Sequence, residues 1–324
     1  MILRRSLAIA VKLIVSFGLI GVLVQAVGVG KAFDRLLNAD PKWLALASII
    51  ALLQVVICTL RWRAVLDGLE AYLRFTTAFK YWYIGAFFNQ ALPSGAGGDV
   101  VRGYLAYKNG MALSAVLSSL FLDRAATVLA LVVLVAVMTP FAAADLENSR
   151  WFVRVVWMVL LGSLLGLGLV MVFDKTPQSW VKFRIIKALH HLAVDARRVM
   201  LHPFTASSLM GWSVLGHINL VLVVYVLFKS VDAEVSLVNC MLLFPPVLLA
   251  QVVPISIAGW GVREGAMVAV FALVGVGAEV ALAVSILYGL VMILVSLPGA
   301  LLWLGKDVHV VTKDVERFAD TSKQ

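Results

Sequence analysis

A thirteen-residue pattern in the first half of this chain recurs in the second half. Residues 90–102 read QALPSGAGGDVVR, and residues 251–263, 161 positions later, read QVVPISIAGWGVR. Each copy joins an apolar helix, a Pro/Gly break and a second helix that opens with an arginine. Paired interruptions of this kind in the two halves of a chain are typical of a membrane transporter's central site. The matching positions are Gln90/Gln251, Pro93/Pro254, Gly98/Gly259, Val101/Val262 and Arg102/Arg263.

The composition indicates an integral membrane protein. Of 324 residues, 62% are hydrophobic and 14% charged, and the mean hydropathy is +0.99, which is more apolar surface than one soluble core buries. The excess of 27 basic over 18 acidic residues is the ordinary result of positive cytoplasmic loops. We therefore expect no nucleic-acid partner. The two cysteines lie in apolar segments and imply no disulfide framework.

Segment lengths predict an all-α polytopic transmembrane helical bundle. A span needs roughly 20 apolar residues, and we expect about six full spans with two re-entrant hairpins. The first hairpin joins the short segment 79–92 to the helix that follows its break, and the second joins 237–253 to 262–276. The predicted spans are 6–29, 43–60, 112–141, 152–173, 206–228 and 280–304.

Basic residues set the orientation. They concentrate in loops that become cytoplasmic when both termini lie inside, and Arg61 and Arg63 are expected in one of these loops. Three spans separate the two breaks, so the hairpins enter from opposite sides and the internal repeat is inverted. We predict a single transmembrane domain, 1–324, in the inner membrane, with repeat halves at about 40–141 and 203–304, a cytoplasmic amphipathic loop at 174–205 and a cytoplasmic tail at 305–324.

The two breaks predict an anion site near the membrane midplane. A helix begins after each break, so unpaired N–H groups and the positive end of a helix dipole face the membrane centre. Arginines in those first turns suit phosphate, and an acidic residue beside each arginine neutralises it. The predicted substrate-binding residues are Asn89, Gln90, Ser94, Asp99, Arg102, Asp123, Arg124, Gln251, Arg263 and Glu264. The predicted hinge residues are Pro93, Gly97, Gly98, Pro254, Gly259 and Gly261.

A structural alternative stands beside the anion site: the buried charges pair with each other and hold the hairpins together. Asp123 and Arg124 are neighbours in a helix and point about 100° apart, so they should pair with partners on other elements rather than with each other. His217 and Asn219 are expected to link helices rather than carry protons. Tyr81, Trp82 and Tyr83 are expected in an interfacial aromatic belt rather than around a lipid headgroup.

Other chemistry is not indicated. Residues 95–98 lack the Lys-Ser/Thr ending of a nucleotide phosphate loop, and neither a zinc-ligand spacing nor a nucleophile elbow is recognisable. We expect no catalytic residues, metal or cofactor, and the chain is predicted not to be an enzyme. Segment 175–202 alternates basic and apolar residues at helical spacing, which predicts a helix on the inner leaflet, with a solvated connector as the alternative.

Taken in order, three motifs resemble the lysylphosphatidylglycerol synthase transmembrane-region family, whose members are flippase-like. They are FFNQxxPS at 87–94 continuing through GDxxR at 98–102, the Asp123-Arg124 pair, and GxGVRE at 259–264. The resemblance covers nearly all of the chain and implies a stand-alone member without the soluble synthase domain. Asp123 stands where the family is expected to have glutamate.

The resemblance and the midplane site together predict a lipid flippase or scramblase-like transporter. It would move an anionic or phosphate-bearing lipid across the bacterial inner membrane, downhill or coupled to an ion gradient. The expected ligands are membrane lipids of the phospholipid or polyprenyl-phosphate type, and the expected protein partners are a second copy or a lipid-pathway enzyme. The alternative is a non-transporting partner or regulator of a lipid-modifying or glycosyltransferase enzyme.

Overall fold

The structure is a computed structural model, and it describes residues 29–92, 97–142, 150–175, 184–251, 256 and 258–305. All regular structure in these ranges is helical, as the composition and segment lengths predict. The predicted first span, except its last residue, and nearly all of the predicted tail lie outside the described residues. The eleven described α-helices are α1 Val29–Leu37, α2 Pro41–Gly68, α3 Phe75–Ala91, α4 Gly97–Lys108, α5 Leu113–Met138, α6 Arg150–Val172, α7 Arg184–Leu201, α8 Pro203–Ser230, α9 Leu237–Ala250, α10 Val262–Phe271 and α11 Ala278–Leu304.

Four of these helices are long and apolar enough to cross a membrane. They are α2, α5 with its 3₁₀ extension to Phe141, α8 and α11. The segments Trp157–Val172 and Leu237–Ala250 are apolar but shorter. The polytopic helical bundle is therefore confirmed, whereas the count of six spans stays a prediction.

Local signals account for where the spanning helices begin. The Asp40 carboxylate caps α2 by accepting from the Lys42 backbone N–H at 2.8 Å, and Pro41 occupies the first turn. Pro203 has the same position in α8. The predicted second span stops at residue 60 before two arginines, but α2 continues to Gly68 because Trp62, Val65 and Leu66 are fully buried.

Helices α2 and α8 pack along their whole length in antiparallel orientation. The N–H of Asp40, before the start of α2, donates to the carbonyl of Ser230 at the end of α8 (2.8 Å). Gly68, at the end of α2, lies against Thr205 in the first turn of α8. The two helices occupy equivalent places in the predicted repeat, and an inverted repeat requires them to run in opposite directions.

The other helix–helix contacts also occur as matched pairs, one in each half of the predicted repeat. Contacts of α2 with α3, of α3 with α4, of α4 with α5 and of α2 with α5 each have a counterpart among α8, α9, α10 and α11. Between the halves, α3 packs on α11 as α9 packs on α5, and α2 packs on α11 as α8 packs on α5. Such matched packing supports the predicted inverted repeat, which stays a prediction.

The first hairpin is closed by glycines. Gly85 on α3 and Gly98 on α4 face each other so closely that a Cβ at Gly98 would overlap the Gly85 carbonyl oxygen. The Asn89 side chain accepts from the Gly98 N–H at 2.9 Å, so α3 is tied to the first turn of α4. Gly299 on α11 receives α3 in the same way, against Tyr83 and Phe87.

Helix α7, in the predicted amphipathic loop, packs on the bundle. Ala193, Ala196 and Val199 are fully buried, and the Ser118 hydroxyl of α5 donates to Asp195 at 2.6 Å. Arg198 forms an ion pair with Glu70 after the end of α2. A solvated connector is therefore the wrong interpretation of this helix, whereas its contact with the inner leaflet stays a prediction.

Candidate functional site

Five charged residues of α2, α4 and α5 form one continuous chain of ion pairs, which we name the first cluster. Asp123 binds both Arg61 (Nε to Oδ1, 2.7 Å) and Arg102 (Nη2 to Oδ2, 2.7 Å). Arg102 in turn binds Asp99 (Nε to Oδ1, 3.0 Å), whose other oxygen accepts from Arg124 Nε at 2.6 Å. The order along the chain is Arg61, Asp123, Arg102, Asp99, Arg124.

The sequence predicts that Asp123 and Arg124 pair with residues of other elements rather than with each other, and the geometry agrees. Asp123 turns to α2 and α4, whereas Arg124 reaches Asp99 on α4. Each side chain of α4 in the cluster is thereby tied to α5. The hairpin helix is held against a spanning helix by charge as well as by the close approach of Gly103 to Val116 and Leu120.

The first cluster carries one positive charge in excess, since three arginines meet two aspartates. Asp123 and Arg102 are almost completely buried, but half of the Arg124 side chain is exposed. Arg124 is also the twelfth of the 26 residues of α5, close to the middle of a spanning helix. A charge at that depth is costly unless it meets water or a counter-ion.

Two aromatic rings lie against Arg102. Its Cζ lies 4.9 Å from the centre of the Trp62 ring and 5.6 Å from that of Trp82. Arg102 Nη1 and Trp82 Nε1 are both buried, and neither has a hydrogen-bond partner among the described residues. Leaving a buried donor unsatisfied costs about 1–3 kcal/mol, so these two N–H groups require an explanation.

The second predicted arginine belongs to a separate, neutral group, which we name the second cluster. Arg263 Nη2 binds Glu264 Oε1 at 2.6 Å, and the Ser285 hydroxyl on α11 lies 3.1 Å from both side chains. The other Glu264 oxygen accepts from the Gly261 N–H at 2.5 Å, as an acidic residue does at the third position of a helix. One cation here meets one anion.

Each of the two arginines forms its ion pairs within its own half of the chain. Arg263 lies against Gly289, the twelfth of the 27 residues of α11, so each arginine is near the middle of a spanning helix. Arg102, however, lies beside Gly85 of α3, and α3 contacts α11 at Gly299. Ten residues of helix correspond to about 15 Å. No hydrogen bond or ion pair joins the two clusters within the described part of the chain, and a cavity shared by both arginines stays a prediction.

Other predicted residues have roles in shaping the breaks. Gly259 and Gly261 have φ of +83° and +87°, a region that favours glycine, and Gly259 leaves room for the Gln251 side chain. Gln251 itself donates to the Val247 carbonyl at 3.3 Å. Gln90 is half-buried near the end of α3, and Gly97 begins α4. Pro93, Ser94 and Pro254 lie outside the described residues.

Sequence reasoning missed two members of the site. Arg61 was expected in a cytoplasmic loop, but it is buried and ion-paired with Asp123. Trp82 and Tyr83 were expected at the interface, but Trp82 lies against Arg102, and the Tyr83 hydroxyl is buried and donates to the Val295 carbonyl at 2.9 Å. The signal for Arg61 was Trp62 beside it, since an aromatic residue in a basic triplet extends the apolar helix face.

The polar pair on α8 links helices, as predicted. His217 Nε2 lies 2.8 Å from the Thr127 carbonyl of α5 and donates to it. Asn219 donates to the Ile50 carbonyl at 3.1 Å and to the Gln54 side chain at 2.9 Å. These bonds join α8 to two of its spanning neighbours, α5 and α2.

Metal binding finds no support in the described ranges, where no three His, Cys, Asp or Glu side chains come together. The carboxylates of Asp99 and Asp123 already bind arginines. What this arrangement offers a ligand is hydrogen-bond donors and positive charge, and such a site accepts anions.

Helical spans with buried ion pairs at mid-depth define a multi-pass membrane protein. Residues 9–299 match the model of the family described as "Lysylphosphatidylglycerol synthase TM region". The chain belongs to this family.

Archaeal relatives match along most of their length. A UPF0104 membrane protein of Methanothermobacter thermautotrophicus is 23% identical over 312 residues, covering 85% of this chain and 87% of its own. A UPF0104 membrane protein of Methanocaldococcus jannaschii is 26% identical over 303 residues, covering 86% and 89%.

Proposed function

We propose that the protein is a flippase or scramblase-like transporter of an anionic or phosphate-bearing lipid, with the first cluster as its headgroup site. The proposal joins the family, which is a membrane region associated with lysylphosphatidylglycerol synthesis by its description, to one structural observation. That observation is Arg124: a half-exposed arginine near the middle of a spanning helix, at the end of a charge chain with one unbalanced positive charge.

An anionic headgroup would balance the excess positive charge and provide a counter-ion for the exposed part of Arg124. One negative charge balances the three arginines and two aspartates, and phosphate oxygens accept hydrogen bonds from the outward face of the Arg124 guanidinium. The acyl chains would remain in the bilayer while the headgroup passes along the cluster. The N-terminus of α4, where Gly97 begins the helix, adds N–H groups at the same place.

The second cluster favours a different function for the second half. Its single arginine is neutralised by its neighbour Glu264 and further satisfied by Ser285. A neutral, internally bonded group stabilises a hairpin but does not attract an anion. If the first cluster were equally inert, the protein would be a non-transporting partner or regulator of a lipid enzyme.

Transport is tested in liposomes that carry a fluorescent anionic phospholipid in both leaflets. An impermeant external quencher removes the outer-leaflet signal at once, and active protein should bring the inner-leaflet probe to the quencher faster than empty vesicles do. Arg124→Gln removes the unbalanced charge and leaves two arginines with two aspartates. Because a hydrogen bond to a charged group contributes about 1.5–3 kcal/mol, transport should slow about tenfold or more.

Arg198→Gln is the matched control. The Arg198 side chain is 48% exposed against 50% for Arg124, and each is bound to one carboxylate. Loss of Arg198 should leave transport unchanged, and a zwitterionic probe with the same tails should move more slowly than the anionic one. If phospholipids, aminoacylated lipids and polyprenyl-phosphate lipids all stay in place, with and without a proton gradient, the non-transporting alternative replaces this proposal.

A further inference from the structure

Two buried N–H groups at the first cluster have no hydrogen-bond acceptor among the described residues. They are Arg102 Nη1 and Trp82 Nε1. Arg102 is 1% exposed, and its other nitrogens already bind Asp99 and Asp123. The Arg102 Cζ lies 5.6 Å from the centre of the Trp82 ring, so the two donors belong to one small region between α3 and α4.

A second tryptophan beside the same guanidinium has its indole N–H satisfied within the protein. Trp62 also lies against Arg102, with 4.9 Å between the Arg102 Cζ and its ring centre. The Trp62 indole N–H, however, donates to the Ser119 hydroxyl at 3.3 Å. Two tryptophans thus lie against one arginine, and the N–H of only one of them is used by the described protein.

The charge of the surroundings selects the class of ligand. The first cluster has one positive charge in excess, so a cation is repelled from it. Both free groups are donors, so the ligand must present acceptors. A phosphate group does both, since it is negative and its oxygens accept several hydrogen bonds at once.

We propose that Arg102 Nη1 and Trp82 Nε1 form an inner phosphate subsite, which receives the headgroup after Arg124 has admitted it. This rests on the proposed function, because it names where the same lipid goes next. Asp99 connects the two positions: its two oxygens bind Arg124 and Arg102 respectively. A phosphate that moves from one arginine to the other therefore remains beside the same carboxylate.

The test observes the indole N–H directly. Protein labelled with ¹⁵N-tryptophan in detergent micelles gives one indole resonance per tryptophan, and Trp82→Phe and Trp62→Phe identify the two that matter. The probes are dioctanoylphosphatidylglycerol, inorganic phosphate and dioctanoylglycerol, which lacks phosphate. The Trp82 resonance should move saturably with the phospholipid, whereas that of Trp62 should move much less and dioctanoylglycerol should move neither.

Affinity provides the second measurement. Phenylalanine keeps an aromatic ring against Arg102 but removes the indole donor, so Trp82→Phe should weaken phosphatidylglycerol binding about tenfold. Trp62→Phe removes a donor that is already used within the protein, and the affinity should stay close to that of the wild type. Equal affinity of wild type and Trp82→Phe would overturn the subsite.

The probes separate lipid from free anion. A Trp82 shift with phosphatidylglycerol, with or without one from inorganic phosphate, supports the subsite. A shift with inorganic phosphate alone, with dioctanoylglycerol, or with no probe overturns it. Should the Trp82 shift occur in a protein that moves no lipid in liposomes, the transport proposal fails while the phosphate subsite stands. Should Arg124→Gln slow transport without any Trp82 shift, the phosphate subsite fails while the transport proposal stands.

Discussion

Arg61 donates two hydrogen bonds to Asp123, from Nε to Oδ1 at 2.7 Å and from Nη2 to Oδ2 at 3.1 Å. The pair joins two spanning helices, α2 and α5, and both side chains are buried. The planar guanidinium matches the two carboxylate oxygens, a geometry that lysine cannot reproduce. Arg61, which the sequence predicts to lie in a cytoplasmic loop, therefore links two membrane-spanning helices.

Replacing Arg61 should destabilise the protein, and the effect should depend on whether the charge and the hydrogen bonds to Asp123 are both lost. Arg61→Ala removes two hydrogen bonds to Asp123, which keeps Arg102 as its partner, and should lower the free energy of unfolding by about 1.5–3 kcal/mol. Arg61→Lys keeps the charge but loses the two-pronged contact, so its effect should be smaller. Thermal unfolding in detergent measures both. Arg63→Ala is the control, since the Arg63 Cζ lies 5.9 Å from the centre of the exposed Tyr72 ring and no ion pair is shown for Arg63 among the described residues. A loss of stability there as large as for Arg61→Ala would contradict the assignment.

The Gly85–Gly98 approach predicts that the first hairpin tolerates no side chain at Gly98. A Cβ there would overlap the Gly85 carbonyl oxygen, which is backbone and cannot rotate away. Gly98→Ala should therefore cost about 1–3 kcal/mol through forced displacement of the two helices. Gly211→Ala places a methyl group in open space on α8 and should stabilise the helix by about 0.5–1 kcal/mol. Thermal unfolding of both variants shows whether each substitution lowers or raises stability. A Gly98→Ala protein as stable as the wild type would show that the two helices move apart easily.

The neutral second cluster predicts that charge balance matters there for stability. Glu264→Gln removes the carboxylate that binds Arg263 and should destabilise the protein by about 3–5 kcal/mol, because a buried arginine loses its counter-charge. Glu279→Gln alters a half-buried acidic residue in the first turn of α11 and should cost less than about 1 kcal/mol. Chemical denaturation followed by tryptophan fluorescence compares them; equal effects would argue that the Arg263–Glu264 pair contributes little.

The orientation can be checked with two cysteines separated by one spanning helix. His191 on α7 and Glu234 after α8 are both exposed, and α8 lies between them. The native cysteines, Cys58 and Cys240, are both buried, and both are replaced by alanine so that the introduced cysteine is the labelled thiol. With the positive loops inside, Glu234→Cys should react with an impermeant thiol reagent on intact cells, and His191→Cys should react only after permeabilisation. The opposite pattern would invert the topology.

Local sequence determined much of the fold. The apolar length of a segment decides whether it can lie in lipid. A proline followed closely by glycines favours a break between helices, although single residues such as Gly289 and Pro298 lie inside α11. The positions of the described helices, the hairpin breaks and the resemblance to the family therefore follow from short stretches of chain. The end of α2 was misplaced because Arg61 and Arg63 suggested water, whereas burial of the residues around them extends the helix to Gly68.

Only the tertiary structure decided which charges meet. An ion pair depends on which helices become neighbours, and α2, α4 and α5 bring Arg61, Arg102 and Asp123 together across 62 positions of sequence. The repeat motif suggested one shared site for Arg102 and Arg263, because matched residues look equivalent in sequence. In the folded chain each arginine pairs within its own half. Coulomb energy falls with distance, so the helix packing that sets each arginine's nearest charges gives the two clusters different partners and different net charge.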